Sequence, residues 1–133
     1  MYSARLLDHF QNPRNVGELP PPAVTVEVSN PVCGDILRLS VEFRDGRVAE
    51  ARYKTRGCTA SIAAGSALTE WLIGRTPPEV AAIRSADIED AVGGLGAESK
   101  HAAVLAVKAA RAAARGTRER VWRPAAGVDA RPT

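Results

Sequence analysis

Between residues 24 and 53 the chain alternates apolar and polar positions three times in succession. Val24, Val26 and Val28 interleave with Thr25, Glu27 and Ser29; Leu37, Leu39, Val41 and Phe43 form a second series; Val48, Ala49, Ala51 and Tyr53 follow. A period of two is that of a strand with one face buried. Asn30-Pro31 ends the first series, and Asp45-Gly46 between the second and third is a hairpin signal. Three sequential strands joined by short turns imply an antiparallel meander.

The rest of the chain reads as helix. Ser3 to Phe10 carries Leu6, Leu7 and Phe10 at helical spacing, and the segment Gln11 to Gly17, with Pro13, breaks it. Pro20-Pro21-Pro22 is a stiff connector. After the strands, Gly57-Cys58-Thr59 opens a long helix. Ile62, Leu68, Trp71 and Leu72 form its apolar face, and Ala60, Ala63, Ala64 and Ala67 allow close packing. Gly74 is a stop. Thr76 as N-cap, Pro77 at the first position and Glu79 at capping-box spacing start another helix. A short helix is expected over Ala86 to Val92, Gly93-Gly94-Leu95-Gly96 is a link, and the alanine-rich stretch Glu98 to Arg115 is strongly helical. From Gly116 onward the pattern fades, and residues 116–133 are expected to form a loosely ordered tail. Strands grouped before helices give the fold class α+β: a three-stranded antiparallel sheet with helices packed on one face.

A length of 133 residues fits one domain that folds without covalent staples. Hydrophobic residues at 45% and charged residues at 25% match an ordinary globular composition. No apolar run approaches a membrane span. The first residues lack a long apolar core, so a cytoplasmic location without a signal peptide is expected. A net charge of +3 with only 5% aromatic residues argues against nucleic acid as the partner. Only Cys33 and Cys58 carry thiols, too few for a disulfide framework, so both read as reduced.

Three elements carry chemistry. Pro31-Val32-Cys33-Gly34-Asp35 lies between two strands, and Gly34 lets the backbone bend so that Cys33 and Asp35 can face one point. A thiolate and a carboxylate so placed suit zinc or iron, although a turn with a small buried cysteine has the same sequence. Cys58 falls at a strand-to-helix junction, where free amides and the helix dipole favour a thiolate and Arg56 adds positive charge. The other reading is a cysteine packed at a helix start. His101 lies near the start of the last helix, with Ser99 as N-cap, where a neutral ring suits ligation but a surface role is commoner. His9 is expected on a helix surface. Lys108, Arg111 and Arg115 make one basic helical face, read as solvated.

Asn12 to Gly17, Cys33-Gly34-Asp35, Tyr53 to Cys58 with the Ser/Ala-rich helix as far as Trp71, and Lys100 to Ala106 together resemble the NifU/IscU family of iron–sulfur cluster assembly scaffolds. The order and spacing agree from about Tyr2 to Arg115, which marks residues 1–115 as the scaffold domain. The resemblance implies a non-enzymatic protein with Cys33, Asp35, Cys58 and His101 as ligands of zinc or iron and of a transient 2Fe–2S cluster. It implies a cysteine desulfurase and recipient apo-proteins as partners, and no membrane. Two departures stand out. Ala102 occupies the place of the family's third cysteine, which is implicated in accepting sulfur. Leu95 to Lys100 replaces the Leu-Pro-Pro-Val-Lys segment by which IscU members engage a chaperone. The four remaining ligands would close a tetrahedral zinc site, or hold a cluster with two ligands on each iron, as the mixed ligation of Rieske centres allows. The alternative function is a zinc-holding relative that binds or regulates the desulfurase without building clusters.

Overall fold

The computed structural model describes residues 2–30 and 34–116. The elements run α1 (Ala4–Gln11), β1 (Val24–Asn30), β2 (Asp35–Arg44), β3 (Arg47–Arg56), α2 (Thr59–Leu72), α3 (Pro77–Ala81), α4 (Ser85–Ala91), a 3-10 turn (Ala97–Ser99) and α5 (Lys100–Gly116). The three strands form one antiparallel sheet in the order β1-β2-β3. Asp45 and Gly46 make the two-residue turn between β2 and β3 with φ of 55° and 79°. Two successive positive φ values match the right-handed strand twist, and Gly accepts one of them at no steric cost.

The alternation sorts the two faces of the sheet. Val26 pairs with Leu39 and Leu39 with Tyr53, and all three are buried. Burying an apolar side chain of this size contributes about 1.5–3 kcal/mol. The opposite face carries Glu27, Arg38 and Lys54, tied by Arg38–Glu27 at 2.9 Å and by Glu18 to Arg38 and Lys54. Helix α5 packs on β1 and β2, and α2 on β3; α1 and α4 close over α2. The family's α+β arrangement of a covered three-stranded sheet is therefore present.

Helix α2 departs from the amphipathic pattern. Ten of its 14 residues are buried, while Ile62 and Trp71, expected in its apolar face, are only half-buried. The helix lies between two layers: Ala60, Ala64 and Leu68 meet the sheet, and Ala63 and Ala67 meet Leu6 of α1. A helix covered on nearly every side needs small residues rather than one apolar stripe. Gly65 shows how close the contact is, since a Cβ there would lie 2.5 Å from the Tyr53 ring.

The segment after α1 is more than a break. Asn15, at φ 58°, accepts from the Tyr53 amide, and the Gly17 amide donates to the Tyr53 carbonyl, so residues 15–17 pair with the outer edge of β3. His9 is not on the surface as expected. It is 7% exposed, with Nδ1 2.7 Å from Ser66 Oγ and Nε2 3.7 Å from Glu70. Ser66 also accepts from the Arg14 amide, so a serine buried in α2 draws α1 and the following loop inward.

The capping box at Thr76 and Glu79 forms, with Pro77 opening α3. Residues expected to begin the last helix form the 3-10 turn instead, and Ser99 lies inside the helical run rather than capping it. The expected tail, beyond Gly116, lies outside the described residues, as does Cys33. Among the described residues no helix is long and apolar enough to cross a membrane.

Candidate metal centre

Asp35 opens β2, and strand parity places it with Leu37, Leu39 and Val41 on the helix-covered face, where the residue is 5% exposed. Because β2 and β3 are antiparallel, the start of β2 lies beside the end of β3, with Ile36 opposite Arg56. Two residues further, Cys58 sits in extended conformation as the N-cap of α2 and is exposed. His101, the second residue of α5, reaches the same point from the other side, its side chain 25% exposed. A strand start, a helix cap and a second helix start thus meet at one end of the sheet.

One donor atom from each of Asp35, Cys58 and His101 lies within 4.8 Å of the other two. His101 Nε2 is 3.4 Å from Asp35 Oδ2 and 3.8 Å from Cys58 Sγ. Tetrahedral zinc with ordinary bond lengths separates nitrogen from oxygen by about 3.3 Å and sulfur from nitrogen by about 3.6 Å. These two separations lie within a few tenths of an ångström of those edges, while the third, between Asp35 and Cys58, is held only within 4.8 Å, so His101 is placed to share a metal with each and Asp35 and Cys58 would draw together on binding. Sulfur, nitrogen and oxygen donors together suit zinc or iron rather than magnesium or calcium.

Ser61 completes the cluster, and nothing singled it out in the sequence. Its hydroxyl donates to Asp35 Oδ2 at 2.6 Å, and its oxygen is 3.5 Å from Cys58 Sγ. The signal was present in the spacing: Cys58 is the N-cap of α2, and the third helical residue lies back over the cap. Burial alone would raise the Cys58 thiol, but the Ser61 hydroxyl and amide, the His101 ring and the Ala60 amide outweigh it and hold the thiol below its ordinary value. The Ser61 hydroxyl has one proton, and the shorter contact assigns it to Asp35. A cysteine at a helix N-terminus is expected to shift in this direction.

Ala102 follows His101 on α5 but is 2% exposed and packs in the core against the sheet. Lys100 is held by Glu89 at 2.8 Å. Lys108, Arg111 and Arg115 all lie exposed on α5, and Arg111 donates to the Ile83 carbonyl at 2.7 Å.

Fold and donor cluster together define a small α+β domain with a mixed sulfur, oxygen and nitrogen site at one end of its sheet. The chain belongs to the NifU-like N terminal domain family, which it matches over residues 1–123. It is 40% identical over 118 residues to the iron-sulfur cluster assembly scaffold protein IscU of Azotobacter vinelandii, covering 86% of this chain and 91% of that protein. Identity to IscU of Escherichia coli strain K12 is 38% over 116 residues, covering 84% and 90%. IscU 1 of Archaeoglobus fulgidus is 40% identical over 113 residues, covering 85% and 74%. Among solved structures, a hypothetical protein superposes with a TM-score of 0.68 at 25% identity, covering 84% of this chain and 95% of that one. The N-terminal part of a nitrogen-fixing NifU-like protein from Brucella abortus gives 0.55 at 22% identity, covering 84% and 83%, and so shares the fold.

Proposed function

We propose that the protein is an iron–sulfur cluster assembly scaffold in which Cys33, Asp35, Cys58 and His101 hold iron or zinc and carry a transient 2Fe–2S cluster as cargo. The observation that supports this most directly is the meeting of Asp35, Cys58 and His101 donor atoms within 4.8 Å at the exposed end of the sheet. Cys33 is two residues from Asp35 in sequence and supplies the second thiolate. A cysteine desulfurase delivers sulfur to Cys33 or Cys58, and recipient apo-proteins take the finished cluster. One oxygen and one nitrogen donor grip a soft cluster less firmly than thiolates do, which favours release. The role needs no turnover chemistry from the chain itself.

Ala102 favours a second reading. With no thiol at that position, a four-donor set closes a tetrahedral zinc site, and the protein would act as a zinc-holding module that docks on the desulfurase without building clusters. Anaerobic reconstitution with ferrous iron and sulfide separates the two. The scaffold reading expects the visible absorption of a cluster, its loss on transfer to an apo-ferredoxin, and its failure to form in Cys58→Ala. A natural protein that forms no cluster with free sulfide or with a desulfurase present leaves only the zinc-holding module.

A further inference from the structure

Ser61 is 4% exposed and lies in the first turn of α2, beneath the Cys58 cap. It makes the shortest polar contact in the cluster, 2.6 Å from its hydroxyl to Asp35 Oδ2. The same Asp35 oxygen is 3.4 Å from His101 Nε2. The carboxylate is therefore held from the α2 side and turned toward α5, and the remaining oxygen, Oδ1, faces Gly57. At Gly57 a Cβ would fall 2.9 Å from Asp35 Cγ, 3.0 Å from Oδ1 and 3.0 Å from the Ser61 Cβ. The Gly57 backbone is not left-handed, so the requirement is for space. One residue grips the carboxylate and the other leaves the room in which it is gripped.

We infer that Ser61 is a positioning residue for metal capture, which, with Gly57, fixes the Asp35 carboxylate in the orientation that shares a metal with Cys58 and His101. The inference rests on the proposed reading of Asp35 as a ligand. A carboxylate free to rotate must be ordered when metal arrives, and it has other hydrogen-bonding choices. One already ordered by a buried hydroxyl meets the metal in place. Partners that orient ligands in this way typically change metal affinity about 10–100-fold when removed. The hydroxyl does not itself need to touch the metal. It also sits 3.5 Å from Cys58 Sγ, so a single group spans two ligands that belong to different elements, β2 and α2.

The test uses the full chain, with zinc affinity measured by competition against a chromophoric chelator and with the visible bands of cobalt(II) bound in place of zinc. Ser61→Ala is expected to weaken zinc about 10–100-fold and to shift the cobalt bands, because the carboxylate changes its mode of binding. Ser61→Thr keeps the hydroxyl and is expected to recover most of the affinity. Gly57→Ala perturbs the same carboxylate by contact rather than by loss of a hydrogen bond, and is expected to weaken zinc as Ser61→Ala does. Melting of the metal-free proteins separates positioning from folding. Zinc affinity in Ser61→Ala within about twofold of the natural chain overturns the inference while leaving the ligand reading intact. A loss of affinity that only follows a lowered metal-free melt, with unchanged cobalt bands, also overturns it. A natural chain that binds neither metal overturns the ligand reading and the inference with it.

Discussion

Replacing Gly65 by alanine should destabilise the protein, although the same change in an exposed helix stabilises it. Alanine gains about 1 kcal/mol over glycine in helix propensity. At position 65 the new Cβ would lie 2.5 Å from two carbons of the Tyr53 ring, well inside ordinary contact. Either the ring or α2 must move by about 1 Å, and overpacking of this kind costs about 1–3 kcal/mol. Tyr53 is 2% exposed and donates its hydroxyl to the Ile62 carbonyl at 2.9 Å, a bond that such a movement breaks, for about another 0.5–1.5 kcal/mol. The expected net loss is about 0.5–3.5 kcal/mol. Urea unfolding followed by circular dichroism measures it. The cause is isolated by a double-mutant cycle with Tyr53→Val, which removes the ring: in that background Gly65→Ala should turn neutral or stabilising. A Gly65→Ala protein more stable than the natural one, or an unchanged effect without the ring, refutes the packing argument.

Other outcomes follow from the same structure. His9 is held below its ordinary value first by burial and then by the Arg14 charge, with Glu70 and Asp8 acting in the opposite sense. The unfolded chain then takes up a proton near pH 6.5 before the folded one does, so stability is full above that pH and falls as pH drops toward the folded value. Urea midpoints of metal-free protein should fall between pH 7.5 and pH 5, less so in His9→Gln; equal slopes in the two proteins count against it. Zinc at about 100 times its dissociation constant should add about 2.7 kcal/mol, and chelation should remove it. An unchanged melt after verified metal removal rules out a stabilising site. Ala102→Cys should lengthen the lifetime of a reconstituted cluster, since thiolate is the better ligand for it. Equal decay in the two proteins would show that a thiol at 102 does not reach the site.

The strands were legible because each buries one face, although the period of two breaks within β3, where a register shift opposite Glu42 and Phe43 leaves Val48 and Ala51, three apart, both buried and Ala49 only half-buried. The Asp45-Gly46 turn and the Thr76-Pro77-Glu79 cap were legible because their backbone demands are local. Helix α2 was harder. Its buried surface is made of alanine, serine, glycine and threonine, which carry little hydrophobic periodicity, so the sequence marks Trp71 and Ile62 instead. His9 and Ser66 were illegible for a related reason. A histidine buried against a serine 57 positions away, with Arg14 and Glu70 beside it, is a tertiary fact with no local signature.

The candidate site follows a different logic from the core. Asp35 opens β2, Cys58 caps α2 and His101 is the second residue of α5, so each stands within two residues of an element end. Element ends also leave amides unpaired, which is what favours a thiolate at Cys58. None of the three residues needs its neighbours in sequence to define the site. They meet because β2 starts where β3 ends, α2 follows β3 after two residues, and α5, packed on β1, β2 and α2, starts at the same end of the sheet. A metal bound there would join three elements whose ends otherwise meet through polar contacts. Losing it would leave most of the apolar cover in place, because Leu39, Tyr53 and Leu68 are buried further along the sheet and α2, although Leu37, Ala60 and Ala102 carry the core up to the site. Under the proposed scaffold reading, the domain held together by Leu39, Tyr53, Leu68 and their neighbours keeps this core when the metal leaves.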